Sequence, residues 1–261
     1  MPAVKLKPDT LDLENQRFAQ TPLTRPVFLN SVPKSGSHLL RNIIRMFVPA
    51  EQQYKQQFVQ WGNMPSHLEA WDRSKNYLSW GHLWFSDASA MELSHVRKIL
   101  LVRDPYDWVL SRARFFMSDN FQANLDIVKQ GQLAVDDLLS LMIFGIHGKA
   151  PSMADIFTLN AVAWLGSDVH LVRFEELRER CRDLDGAQSE AYFAALLAAC
   201  GIDPPSDWRE RVRIGADPAQ SGTARENLRG TSIDLPEKLP AKHQRLADYA
   251  APGLRQLLGY A

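Results

Sequence analysis

Four short apolar runs, each followed by a segment with helical periodicity, are the strongest constraint on how this chain can fold. They are Val27 to Val32, Tyr77 to His82, Val96 to Val102 and Val169 to Phe174. The third, Val96-Arg-Lys-Ile-Leu-Leu-Val102, is apolar and bounded by charge. Runs this uniformly apolar leave no face for water. Such strands, alternating with helices, specify an α/β fold with a central parallel sheet flanked by helices.

The helices follow from the same reading. Residues Ser37 to Phe47 carry Leu39, Leu40, Ile43, Ile44 and Phe47 at helical spacing. Asp104-Pro105 supplies a capping residue and a first-turn proline, with Trp108, Val109, Ala113 and Phe116 along one face. Residues 134–147, 153–165, 188–200 and 243–258 are expected as helices, with another opening at Glu175. Residues 201–242, rich in Pro, Gly and Arg, are expected as loop, and residues 1–25 as an extended polar lead-in. No repeat and no convincing linker divides the chain. A single domain over residues 1–261, with its core between about 27 and 258, is the expectation.

Thirty basic and thirty acidic side chains cancel. Nothing global calls for nucleic acid or an anionic membrane, so any anion site must be built locally. The two cysteines, Cys181 and Cys200, form neither a disulfide framework nor a metal-ligand spacing, which suits a reducing, cytoplasmic setting. The first residues, Met1 to Gln16, have no apolar signal core, and no run approaches the 18 apolar residues of a membrane span.

Two loops carry the chemistry. Pro33-Lys34-Ser35-Gly36-Ser37 lies between the first strand and its helix. A strand end, a tight turn and a helix N-terminus present free backbone N–H groups and a positive dipole end. Gly36 permits close approach, Ser35 and Ser37 add hydroxyls, and Lys34 adds a charge. The usual nucleotide-binding loop, G-x-x-x-x-G-K-[ST], places its lysine after the second glycine; here Lys34 precedes the only one. The second loop is Leu101-Val-Arg-Asp-Pro-Tyr-Asp-Trp-Val-Leu-Ser111. Arg103 ends the third strand, where open parallel sheets bind ligands. An arginine fork with the Ser111 hydroxyl suits a second phosphate. The alternative is that Arg103 merely pairs with Asp104 or Asp107.

Together, P-K-S-G-[ST] after one strand and R-x-P-x-D-x-x-x-S after a later one resemble the two signatures of the sulfotransferase family. That resemblance implies a P-loop NTPase-like sulfotransferase fold. It also implies 3′-phosphoadenosine 5′-phosphosulfate (PAPS) as donor, with no metal ion required. Residues Lys34, Ser35, Gly36, Ser37 and His38 would hold the 5′-phosphosulfate, and Arg103 and Ser111 the 3′-phosphate. The family's catalytic histidine, in K-x-H-L-P, corresponds to His82 of Trp80-Gly-His-Leu-Trp84, expected as general base beside a charge-stabilising Lys34. Trp80 replaces the family lysine and Trp84 the proline. Phe174 in Val172-Arg-Phe-Glu-Glu-Leu177 stands where the family has an aromatic residue near the adenine, and Leu39 where it often has a stacking tryptophan. Near the C-terminus, Arg225 best matches the arginine of R-K-G-x-x-G-x-W, with Arg229-Gly230 the second choice.

The expected reaction is sulfuryl transfer to a hydroxyl, or less often an amine, of a small-molecule acceptor. Phe115, Phe116, Trp61, Trp84 and Phe85 are candidates for its apolar pocket, although aromatics at such spacing are more often core. No nucleic-acid partner and no membrane insertion are expected, and a homodimer is compatible with the sequence. A small-molecule kinase needs a complete Walker lysine and an acidic strand end for magnesium; the third strand ends instead in Arg103-Asp104. A non-catalytic nucleotide-binding protein has no use for both Lys34 and His82.

Overall fold

The computed structural model describes residues 3–4, 8–55, 58–119, 121–122, 133–221 and 234–260. Its strands are β1 (Ala3–Val4), β2 (Val27–Ser31), β3 (Val59–Gln60), β4 (Leu78–His82), β5 (Arg97–Val102), β6 (Phe121–Gln122) and β7 (His170–Arg173). The helices, numbered in chain order, are α1 (Leu11–Asn15), α2 (Ser37–Arg45), α3 (Asp87–Glu92), α4 (Pro105–Met117) and α5 (Val135–Phe144). They continue with α6 (Met153–Asn160), α7 (Phe174–Arg182), α8 (Ala187–Cys200), α9 (Trp208–Ala216), α10 (Ala241–Ala250) and α11 (Leu254–Leu257).

Five strands form one sheet in the order β3-β4-β2-β5-β7, every pairing parallel. Period-two alternation sends neighbouring residues to opposite faces. Phe28, Leu100 and Val102 enter one core with Trp108, Leu139 and Phe157. Val27, Leu29, Ile99 and Leu101 enter the other with Leu40, Ile43 and Leu197. Both faces are therefore covered, and the four apolar runs are strands as the sequence predicts. The connection from central β2 runs toward β3 and that from its neighbour β5 toward β7, so the chain leaves two adjacent strands in opposite directions. The crevice at such a switch point, beyond the carboxyl ends of the strands, is where ligands of open α/β sheets bind.

Four expectations are corrected. Residues 201–242 are not all loop, because they contain α9. Prolines and glycines dilute its signal, yet Trp208 and Val212 are buried on one face. Gly215 lies where a Cβ would overlap the α2 backbone at Asn42 and Ile43, so α9 packs directly on α2. The lead-in is not simply extended. Leu11, Asn15 and Leu23 are buried, and Asn15 Nδ2 donates to the carbonyls of Arg45 (2.7 Å) and Val48 (3.0 Å), closing the end of α2. The expected helix 243–258 is two, broken at Pro252-Gly253 with Gly253 at φ 73°. The expected helix 153–165 stops at Asn160 and continues as a 3₁₀ turn, Val162–Trp164. The short strand β3 and the 3₁₀ segment Trp61–Trp71 also escape the period-based reading. No helix among the described residues is long and apolar enough to cross a membrane.

Candidate functional site

Each parallel strand delivers its next residues to the same edge of the sheet. The loop after β2 brings Lys34, Ser35 and Gly36; β4 ends in His82; Arg103 follows β5; Phe174 follows β7. Strand ends that are far apart in sequence thus converge on one crevice.

The loop after β2 is strained in a way that serves binding. Lys34 has φ 69°, the left-handed region that non-glycine residues avoid at a cost of about 1–2 kcal/mol. Its carbonyl accepts a hydrogen bond from Ser111 Oγ (3.3 Å), and the Pro33 carbonyl accepts one from Trp108 Nε1. Helix α4 therefore clamps the loop. Gly36 caps α2 at φ 93°, and a Cβ there would overlap the Phe174 ring. No other residue fits that position with Phe174 in place. The result is a turn whose backbone N–H groups and helix N-terminus face the crevice.

Electrostatics sharpen the picture. Lys34 Nζ sits 3.5 Å from the centroid of the Phe115 ring and has neither a hydrogen bond nor an ion pair among the described residues. Burial, then the charge of Arg103, pulls its pKa down to about 7. Arg103 lies 4.6 Å over the Phe174 ring, and its Nε is buried without a partner. Desolvation lowers its pKa too. It does not pair with Asp104, which caps α4 at Tyr106 N (2.9 Å) and is held by Arg255 (2.9 Å). Asp107 makes no hydrogen bond to it either. Ser35 Oγ is buried and unpartnered. Buried charges and donors are normally paired. Two cations with no ion pair among the described residues, Arg103 feeling only the more distant Asp107 and Glu175, and a buried hydroxyl around a glycine turn suit a polyanion.

His82 is oriented by Ser31, a residue the sequence reading passed over. Only a protonated Nδ1 can donate to a carbonyl, and Nδ1 lies 2.8 Å from Ser31 O and 3.0 Å from Ser31 Oγ. Nε2 therefore carries the lone pair, and it makes no hydrogen bond among the described residues. Burial is the main cause, ahead of Lys34, of a pKa lowered to about 4. Ser31 Oγ in turn meets Ser37 Oγ at 2.8 Å, linking the histidine to the start of α2. The register makes the contact: β2 and β4 pair in parallel with Asn30 opposite Gly81, so Ser31 and His82 end neighbouring strands side by side.

His38 packs edge-on to Trp80 (5.2 Å between centroids), its pKa lowered to about 3, first by burial and then by Arg41, Lys34 and His82. Leu39 is half-buried and packs against the α2-side core. Of the aromatics, Phe115 lies beneath Lys34, Phe85 packs against Trp164, and Trp61 is 41% exposed. Arg225, Arg229 and Gly230 lie outside the described residues. Burial raises both cysteine thiols to a pKa of about 12, which makes them poor nucleophiles. No group of three metal-ligating side chains occurs among the described residues.

No protein-family model and no curated protein matches the chain. Among solved structures, mouse sulfotransferase SULT7A1 complexed with PAP is similar, with a TM-score of 0.57 and 17% sequence identity over 96% of this chain and 93% of that one. The chain has the sulfotransferase fold. At this identity the similarity speaks for architecture, and the chemistry rests on the side chains described above. The sulfotransferase fold thus presents, at its switch point, a cationic turn, a second cation on the next strand, and a histidine with a defined tautomer.

Proposed function

We propose that the protein transfers a sulfuryl group from PAPS to a hydroxyl of a small-molecule acceptor. One observation carries this reading: Lys34 and Arg103, on different strand ends, are both half-buried and make no ion pair among the described residues, with Asp107 and Glu175 acting on Arg103 only from a distance. A ligand with two separate phosphate-like groups satisfies both. A nucleotide with one anionic end leaves Arg103 orphaned. The mouse structure of the same fold holds PAP, a nucleotide of that shape.

In this reading the turn from Lys34 to His38 receives the 5′-phosphosulfate, and Arg103 with Ser111 receives the 3′-phosphate. In the free protein Ser111 Oγ donates its one proton to the Lys34 carbonyl at a long 3.3 Å, and that proton would turn to the 3′-phosphate when the nucleotide binds. Phe174 lies beside both Gly36 and Arg103, and the adenine packs near it. Arg225, Arg229 or Gly230 would complete the 3′ side.

The acceptor oxygen attacks sulfur in line. The bond from sulfur to the bridging oxygen breaks, and its electron pair stays on the 5′-phosphate. Lys34 stabilises that charge. The acceptor proton goes to His82 Nε2, and Nδ1 holds the ring on Ser31 throughout. A free-protein pKa of about 4 makes His82 a weak base. The bound anions raise it, by the same Coulomb effect that Lys34 now exerts in reverse. No step calls on a metal, and turnover is expected to survive EDTA.

The test is calorimetry with PAP, AMP and ATP–magnesium, followed by turnover with labelled donor. PAP should bind at least tenfold more tightly than AMP, the lower end for one charge-assisted hydrogen-bond partner. Equal affinities would remove the role given to Arg103 and Ser111. Preference for ATP–magnesium would return the kinase reading; Asp104, the acid that follows β5, is already held by Arg255.

A further inference from the structure

Two acids beside Arg103 compete with any ligand for its guanidinium. Glu175 opens α7 directly after Phe174, over whose ring the guanidinium lies, and Asp107 stands in the first turn of α4. With Arg178 and Tyr260 they are the groups whose charge acts on Arg103, and Arg103 in turn acts on Lys34. Asp107 sits at the end of its own helix, where the free N–H groups attract a carboxylate. Glu175 is engaged from two other elements. Its Oε1 accepts from the backbone N–H of Asp104 (3.1 Å), and its Oε2 accepts from Tyr260 Oη (2.7 Å).

Tyr260 is delivered there by the turn that ends α11. Gly259 is left-handed at φ 78°. Its N–H donates to the Gln256 carbonyl (3.0 Å) and that of Tyr260 to the Arg255 carbonyl (2.8 Å), the pair of bonds that closes a helix on a glycine. Arg173 Nη1 donates to the Gly259 carbonyl (3.0 Å), and a Cβ at Gly259 would overlap that nitrogen. Buried Leu254 and Leu258 hold α11 on the core. The same helix sends Arg255 to Asp104 (2.9 Å). One segment, far along the chain from β5, thus occupies both Asp104 and Glu175. Arg103 Nε meanwhile is buried without a partner. A neighbouring carboxylate with a free oxygen would take it, because a hydrogen bond between two charged groups is among the stronger ones.

We propose that Tyr260 is a positioning residue of the Arg103 site: by engaging Glu175 it keeps that carboxylate off the guanidinium, which stays open to an anionic group of the ligand. The inference rests on the sulfotransferase reading for the ligand, a 3′-phosphate, but not for the state of Arg103.

The experiment is calorimetry with PAP and AMP on the wild type, Tyr260→Phe, Glu175→Gln and the double variant. Tyr260→Phe keeps the ring and removes only the hydroxyl. It should weaken PAP roughly 10- to 100-fold, the span of a charge-assisted hydrogen bond, and leave AMP within a few-fold. In the Glu175→Gln background the same change should cost PAP nothing, because no carboxylate is left to release. A merely structural role would lower PAP and AMP together and would not be cured by Glu175→Gln. PAP affinity unchanged in Tyr260→Phe would overturn the proposal, as would a loss that persists in the double variant. If PAP does not bind the wild type, the nucleotide reading fails, and Arg103 is then judged by its rate of labelling with phenylglyoxal, located by peptide mass mapping. Labelling several-fold slower in Tyr260→Phe and restored in the double variant supports the proposal; equal rates in all four proteins refute it. Tyr260→Met, which keeps the apolar bulk, takes the place of Tyr260→Phe in each comparison if the latter does not fold.

Discussion

Replacing Lys34 by methionine removes a half-buried cation whose only close partner among the described residues is the face of Phe115, and the consequences can be followed by pH. In the free protein Lys34 titrates at about 7. A phosphate-bearing ligand in contact restores the ordinary lysine value, about 10.4, or more. Binding must then take up a proton wherever the free protein has lost one. At pH 8 the uptake is about 0.9 proton and at pH 6 about 0.1, by linkage. Affinity for PAP should fall about fiftyfold between pH 7 and 9, equivalent to about 2.3 kcal/mol. In the free protein His82 and His38, lowered to about 4 and 3, are neutral across this window, phosphate second ionisations lie near 6, and Lys34→Met separates the lysine's uptake from any by a histidine that the bound anions raise. The assay is titration calorimetry in two buffers of different ionisation enthalpy. Lys34→Met should weaken binding and abolish the uptake.

The same shift destabilises the free fold. The native lysine prefers to be neutral and the unfolded one charged, so the penalty is full below pH 7 and fades as pH rises toward 10. Its upper bound is on the order of 5 kcal/mol. Lys34→Met should therefore melt higher than the wild type at pH 6, with a smaller gap at pH 9. Affinity flat between pH 7 and 9, or uptake below about 0.2 proton at pH 8, would refute the claim that Lys34 waits uncompensated for an anion.

Three other outcomes are expected. His82→Ala should keep PAP affinity within a few-fold and lose about a hundredfold or more in turnover, read once an acceptor is in hand. Gly36→Ala should weaken PAP binding, because the new methyl meets Phe174 at φ 93°. Adding Phe174→Ala should relieve the clash but not the backbone strain, and calorimetry on the double variant separates the two. Arg103→Gln should cost about 1.5–3 kcal/mol of PAP affinity and bring PAP and AMP together, while His82 remains at its post on Ser31.

The fold was legible where burial is two-sided and obscure where it is local. Val96 to Val102 reads as a strand because every residue from Ile99 to Val102 is buried against one core or the other. α9 did not read as a helix because its surroundings, Pro204-Pro205 before it and Asp217-Pro218 after it, have loop composition. What holds it is tertiary: Gly215 against α2, and Arg211 donating to the carbonyls of Met46 (3.0 Å) and Ala19 (2.7 Å). β3 has only two residues, and no periodicity can be counted over two. α1 announces little because only Leu11 and Asn15 of its five residues are buried.

The site divides along a different line. Residues placed by motif order, from Lys34 to His38 with Arg103 and His82, are brought to one crevice because parallel strands deliver their carboxyl ends to one edge. Residues that act through a neighbour could not be read that way. Ser31 fixes the tautomer of His82 only because two strands, 51 positions apart, lie in register. Asp104 looks in the sequence like the partner of Arg103, and what frees that arginine is Arg255, 151 positions away. In each case the functional charge is defined by which neighbour is already occupied. That bookkeeping belongs to the folded chain: a sequence names candidate partners, and only packing decides which cation is left without one.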